Sequence, residues 1–244
     1  MLFYRIILLT IFIFNSSSVF SQWTKIGDTS VYIVDNSYIA KYIEVPHYSQ
    51  PTNYTCGATN LTMLASWLTE VKGNKRIDYN IMSVYNFVNT NGTDGIQTDE
   101  LKTGFDKLIQ YTNNAYNMNL NLSFTEILGE SIDEGINGII LLALSGNSPA
   151  PAILYGNRIG GLPGYHYFSV VGYVNCPSSY CEGNIKGLFL HDPMYGSPAF
   201  SGSKSDNAIE PFQFVDEDLL TQVWGKTGSS LPWEKKHILL SFPQ

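Results

Sequence analysis

The chain has 244 residues, enough for one large domain or two small ones around a sizeable core. Hydrophobic residues make up 44% and charged ones only 14%, which excludes wholesale disorder and leaves a polar surface built from Asn, Ser, Thr and Tyr. A formal net charge of -7 removes the electrostatic footprint of a nucleic-acid binder and argues against docking on an anionic membrane surface.

Residues 1–21 read as a secretory signal peptide. Arg5 supplies a positive start, residues 6–14 form an apolar stretch broken only by Thr10, and Val19 and Ser21 sit where a cleavage before Gln22 needs them. The stretch is short for a membrane span, and no later run reaches the roughly 18 apolar residues a spanning helix requires. The expected product is exported, secreted or periplasmic, with no stable membrane insertion after cleavage. Residues 22–244 carry no linker, repeat or low-complexity tract, so they are expected as a single domain with 22–44 as an N-terminal β extension.

Strands are expected over 30–34 and 39–45, the second ended by Pro46. Leu61, Leu64, Ala65 and Leu68 recur at helical spacing, so a helix begins at or just after Cys56 and runs to about Glu70. A second helix is expected over 77–89, with Ile81, Val84, Tyr85 and Val88 on one stripe. Loop 91–95 lacks the acid order and terminal glutamate of an EF-hand. A third helix spans 98–111, opening on a capping-box-like Thr98-Asp99-Glu100, and a fourth spans 122–135. The period then changes. Strands are expected over 138–144, 152–155, 165–174, 187–192 and 237–242, interrupted by a helix over 215–224. Helices first and a mostly antiparallel sheet second is the pattern of an α+β fold.

Three cysteines in an exported chain sort by position. Cys176 and Cys181 flank a Pro-Ser-Ser-Tyr turn and are expected as a local disulfide. They have no second Cys or His pair at metal-ligand spacing, so no zinc site and no cofactor are expected. Cys56 stands alone, at the start of an apolar helix, where unpaired N–H groups and the positive end of the helix dipole favour a thiolate. Gln50 lies on the approach to it, close enough for its amide to complete an oxyanion hole with the Cys56 N–H. His166 heads a strand after glycine-rich residues 156–164, and Asp192 ends the next strand before Pro193. Two strands ending together would set the imidazole beside its orienting carboxylate. Alternation turns His191 away from Asp192, and His47 and His237 read as surface residues. The loop over 156–164 is no dinucleotide fingerprint and reads as a flap beside His166. Nucleophile-elbow, zincin and P-loop motifs are missing.

In order, these fragments are Val45-Pro46 with Gln50, Cys56-Gly57, Gly164-Tyr165-His166 with Gly172-Tyr173, and Asp192-Pro193 with Gly196. The series resembles the C39-like peptidases of the papain-like cysteine peptidase superfamily. The resemblance implies a papain-like α+β fold, an N-terminal helical part packed on a mostly antiparallel sheet. It further implies Cys56 as nucleophile, His166 as general base, Asp192 as orienting carboxylate and Gln50 as oxyanion residue. The expected activity is an exported cysteine hydrolase acting on a peptide or protein through an acyl-thioester. Two alternatives stay open: a transferase or deamidase on the same triad, and a non-catalytic binding module that keeps the fold. The sequence departs from the pattern in having no aromatic after Cys56 and an Asp where papain-like enzymes use Asn.

Overall fold

A computed structural model of the chain describes residues 24–26, 29–35, 38–92, 94–121, 125–129, 150–158, 164–175, 185–199, 211, 213–216, 218–220 and 237–241. The expected signal peptide, the strand over 138–144, most of the glycine-rich loop and both Cys176 and Cys181 lie outside them.

Helix α1 runs Cys56–Gly73 and stops where Asn74 takes the left-handed conformation (φ 52) and returns its N–H to the Thr69 carbonyl. The apolar stripe read from Leu61, Leu64 and Leu68 understates its burial, because every residue from Gly57 to Thr69 is buried. Its polar side chains survive there by bonding backbone carbonyls. Thr59 donates to Thr55 O, Thr62 to Ala58 O, Thr69 to Ser66 O, and Ser66 to Ile77 O. Helix α2 spans Ile81–Val88, shorter than the expected 77–89 because Asn80 caps it with a bond from Ser83 N. Helix α3 spans Thr98–Tyr116, and its capping box joins Gln97 to Glu100, one residue earlier than the box read at Thr98. Both α2 and α3 pack against α1, burying Val84, Val88, Leu101, Phe105 and Leu108 in one core with Leu61, Leu64 and Leu68.

The strands are β1 (Thr24–Ile26), β2 (Thr29–Asp35), β3 (Tyr38–Ile43), β4 (Thr125–Gly129), β5 (Ala152–Asn157), β6 (Tyr165–Asn175), β7 (Ile185–His191), β8 (Gln213–Asp216) and β9 (His237–Ser241). All their pairings are antiparallel, in the order β1-β2-β3-β6-β5-β9-β4, with β7 joined to β6 and β8. Strand β6 is the organiser. One edge pairs β5 over Tyr165–Val170 and then β3 over Gly172–Asn175, while the other pairs β7 from Ser169 onward. Gly172 is where β3 crosses closest: a Cβ there would lie 2.3 Å from the Lys41 carbonyl. The N-terminal strands thus extend the main sheet.

One expected helix gives way to a strand, and another begins later than expected. Within 122–135, Thr125–Gly129 is β4, paired residue for residue with β9, and tertiary pairing overrides the helical reading of Glu126-Ile127-Leu128. Within 215–224, Val215 is a buried strand residue opposite Leu188. Helix begins only at 218–220, where the Asp216 carboxylate accepts from Leu219 N. Among the described residues, no helix is long and apolar enough to cross a membrane.

Candidate active site

The site forms where the start of α1 meets the first residues of β6 and the end of β7. Thr55, the N-cap of α1, makes no side-chain capping bond; its hydroxyl serves Thr52 N instead, and the first turn holds no acid. The free N–H groups and positive end of the helix are therefore left to Cys56. Cys56 is partly exposed. Burial pushes its thiol up, but the charge and hydrogen-bonding reach of His166, with the N–H groups of Tyr167 and Gly57, together hold it below the ordinary thiol value.

His166 has no exposed surface. Its Nε2 lies 2.7 Å from Asp192 Oδ1, while Nδ1 has no tight partner and faces the thiol side. Burial alone would neutralise the ring; the Asp192 carboxylate and Cys56 overcome it and raise the imidazole to about 9. Asp192 is 1% exposed, and Met194 N donates to its Oδ1 at 2.8 Å. The structure thus brings together Cys56, His166 and Asp192, from three separate elements.

Gln50 is buried and belongs to the same site by its backbone. Its N–H donates to Pro193 O (2.7 Å), its carbonyl accepts from Ser197 Oγ, and Ser49 Oγ donates to Tyr195 O (2.6 Å). The segment leading to Cys56 is thereby stitched to the turn after Asp192. Gly196 makes the fit possible: it takes a left-handed φ of 67, and a Cβ would stand 3.1 Å from Ser49 Oγ. The Gln50 side chain donates from Nε2 to Thr52 O at 2.6 Å.

His47 corrects the expectation of a surface residue. It is half-buried, its Nε2 lies 2.9 Å from the Asp192 carbonyl oxygen, and its ring meets that of His191 edge-on at 5.5 Å. His191 is fully buried, and burial together with His47 lowers it to about 3. Sequence reasoning missed Asn60, Ser169 and Ser197, all buried and hydrogen-bonded at or beside the site. Asn60 lies one helical turn after Cys56, its one signal in the sequence, whereas Ser169 and Ser197 have no such spacing from His166 or Asp192. Tyr155 and Tyr165 stack at 5.4 Å beside it, and burial, with Tyr167 and Cys56 nearby, pushes the Tyr155 hydroxyl up. Among the described residues no group of three or more His, Cys, Asp or Glu is arranged to hold a metal ion. Chemically, an ionised thiol beside a charged imidazole held by a buried carboxylate can attack a carbonyl and pass a proton to a leaving group.

The sequence matches the family described as "Peptidase_C39 like family" over residues 42–213. The chain belongs to the C39-like peptidase family. That match encloses all four fragments from Val45 to Gly196, and the described helices followed by antiparallel strands are of the expected α+β class. Similar solved structures are UfSP from C. elegans, at 14% identity and TM-score 0.46 over 91% of this chain and 35% of that one. Another is the proform of Amb a 11, a cysteine protease and major ragweed pollen allergen, at 12% identity and TM-score 0.44 over 93% of this chain and 68% of that one. This C39-like peptidase spans about a third of the UfSP chain. Among curated proteins none matches the sequence.

Proposed function

We propose that this C39-like peptidase is an exported cysteine hydrolase cutting a peptide or amide bond through an acyl-thioester on Cys56. In the resting site the Cys56 thiolate faces the protonated His166. The sulfur attacks the scissile carbonyl carbon, and the C–O π electrons move onto oxygen. Collapse of that intermediate breaks the C–N bond as His166 Nδ1 gives its proton to the leaving nitrogen. Neutral His166 then takes a proton from water, whose oxygen displaces the thiolate and releases the acid. Asp192 accepts from Nε2 throughout, fixing the tautomer and ring orientation. The Cys56 N–H and the second Nε2 hydrogen of Gln50 supply the oxyanion donors.

The observation that carries the reading is the run from a partly exposed thiol to a buried imidazole and carboxylate at the free end of an uncapped helix. A cysteine-directed epoxide should modify Cys56 of the folded protein and fail to do so in His166→Ala. Equal labelling of both would contradict the mechanism. A proteomic cleavage profile of the mature protein then identifies the substrate. Residues 1–21 act as the export signal and 22–244 as one domain, active in an oxidising compartment with Cys176 and Cys181 linked. Peptide mapping without reductant should find that pair joined and Cys56 free; Cys56 bridged to either would remove the nucleophile.

A further inference from the structure

Asn60 stands one helical turn after Cys56 on α1 and has no exposed surface. Both hydrogens of its side-chain amide are engaged: Nδ2 donates to Cys56 O and to Tyr167 O, each at 2.8 Å. Its Oδ1 accepts from Ser169 Oγ at 2.5 Å. Two carbonyl acceptors and a hydroxyl donor leave a single orientation for the amide. The bonds join the residue that carries the thiol to the residue that follows His166, across a sequence separation of 107 for the Tyr167 contact.

Sheet register explains why a side chain is needed there. Pairing of β7 with β6 begins at Ser169↔His191, so Tyr167 lies beyond the end of β7. On the opposite edge Tyr167 faces Tyr155 of β5. The outward edge of β6 at Tyr167 therefore meets α1 instead of a strand: its C=O is taken by Asn60, and its N–H is aimed at the Cys56 sulfur. A buried carbonyl left without a donor would be costly, and a helix end docked on an open sheet edge has no ladder to fix its height.

We infer that Asn60 is a positioning residue for the reacting pair, setting the first turn of α1 against β6 so that the Cys56 sulfur stands at the His166 ring. It touches no substrate and acts through Cys56 and Tyr167. This rests on the reading of Cys56 and His166 as nucleophile and base. Ser169 orients the amide and is the outer support. The role differs from simple core packing, because Leu61 and Leu64 on the same helix already fill the apolar core.

The test measures the rate of iodoacetamide alkylation of Cys56 against pH, kcat and KM on a peptide from the cleavage profile, and thermal unfolding. Wild type, Asn60→Ala, Asn60→Asp, Asn60→Ser and Ser169→Ala are compared. Asn60→Ala should move the alkylation profile up by about one pH unit or more and lower kcat about 10- to 100-fold at little change in KM, the signature of misplaced reacting groups. Asn60→Asp, equal in size but with oxygen facing two carbonyls, should do no better. Ser169→Ala keeps both donations and removes only the support of Oδ1, so it should move the profile and kcat in the same direction as Asn60→Ala but by less. If Asn60→Ala does not fold, Asn60→Ser, which keeps a donor to Cys56 O but does not reach Tyr167 O, should still shift the profile upward. A variant that melts earlier yet keeps the wild-type profile and kcat would overturn the inference and leave Asn60 a packing residue. A wild-type Cys56 that alkylates as an ordinary thiol would overturn the hydrolase reading beneath it, so the two failures are distinguishable.

Discussion

His166 and His191 lie on neighbouring strands, each without exposed surface, and their ionisation is shifted in opposite directions. His166 is raised to about 9 and His191 lowered to about 3. Burial pushes both in the same direction, toward the neutral ring. The difference comes from partners: a carboxylate at 2.7 Å and a thiol face His166, whereas His191 packs edge-on against another imidazole. A buried histidine is thus made a proton carrier by what it faces, and the same burial elsewhere produces an inert ring.

The sharpest way to break this comparison is to remove each ring in turn. His166→Ala should lower kcat by about 10⁴-fold or more, and His191→Asn should leave it within about threefold when measured on folded protein. Comparable losses from both would mean that position on the sheet, and not the partner, decides. Asp192→Asn keeps an oxygen toward Nε2 but removes the charge that overcomes burial. It should lower kcat by about 10³–10⁴-fold and pull the alkaline limb of the pH–rate profile downward, because His166 then releases its proton earlier. An unmoved limb would assign the raised imidazole to Cys56 alone.

Gln50→Ala should lower kcat by about 10²–10³-fold with little change in KM, and Gln50→Glu should be no better, since a carboxylate repels the developing oxyanion. Near wild-type turnover would leave Gln50 as the backbone link between the Val45–Gln50 segment and the Asp192 turn. The smallest effect is on stability. Because His191 is lowered in the fold, the unfolded chain binds more protons between about 6.5 and about 3, so its contribution is lost as pH falls through that window. Replacing it by Asn should flatten that acid slope, by at most about 1.4 kcal/mol per pH unit for one proton. His166, being raised, works in the other sense: its contribution is present below about 6.5 and is lost as pH rises through about 9. Urea unfolding from pH 4 to pH 9 in wild type and His191→Asn measures the acid slope; identical slopes would remove His191 from the account.

Cys56, His166 and Asp192 are legible in the sequence because each marks a change of local structure. A cysteine precedes the helical period, a glycine-led histidine opens an alternating strand, and an aspartate stands before the proline that ends one. Boundary residues carry local signals. Asn60 does not, since an Asn inside a helix reads as solvent-facing until the helix is known to be buried all round. His47 carries no local signal either, because its partner, the Asp192 carbonyl, is distant in sequence. Thr125–Gly129 is a strand only because β9, near the far end of the chain, pairs with it. The α+β arrangement was readable from the change of period, but the three-way pairing of β6, which leaves Tyr167 open to α1, is a tertiary outcome with no local trace.

The central claim is that His166 keeps Cys56 ionised, and the pH dependence of Cys56 alkylation in the reduced, folded protein tests it most directly. With iodoacetamide, wild type should react rapidly already at about pH 6, with the thiolate titrating below the ordinary thiol range, and His166→Ala should move that rise toward the ordinary value near 8.5. A single rise through about 8.5 in both proteins would contradict it.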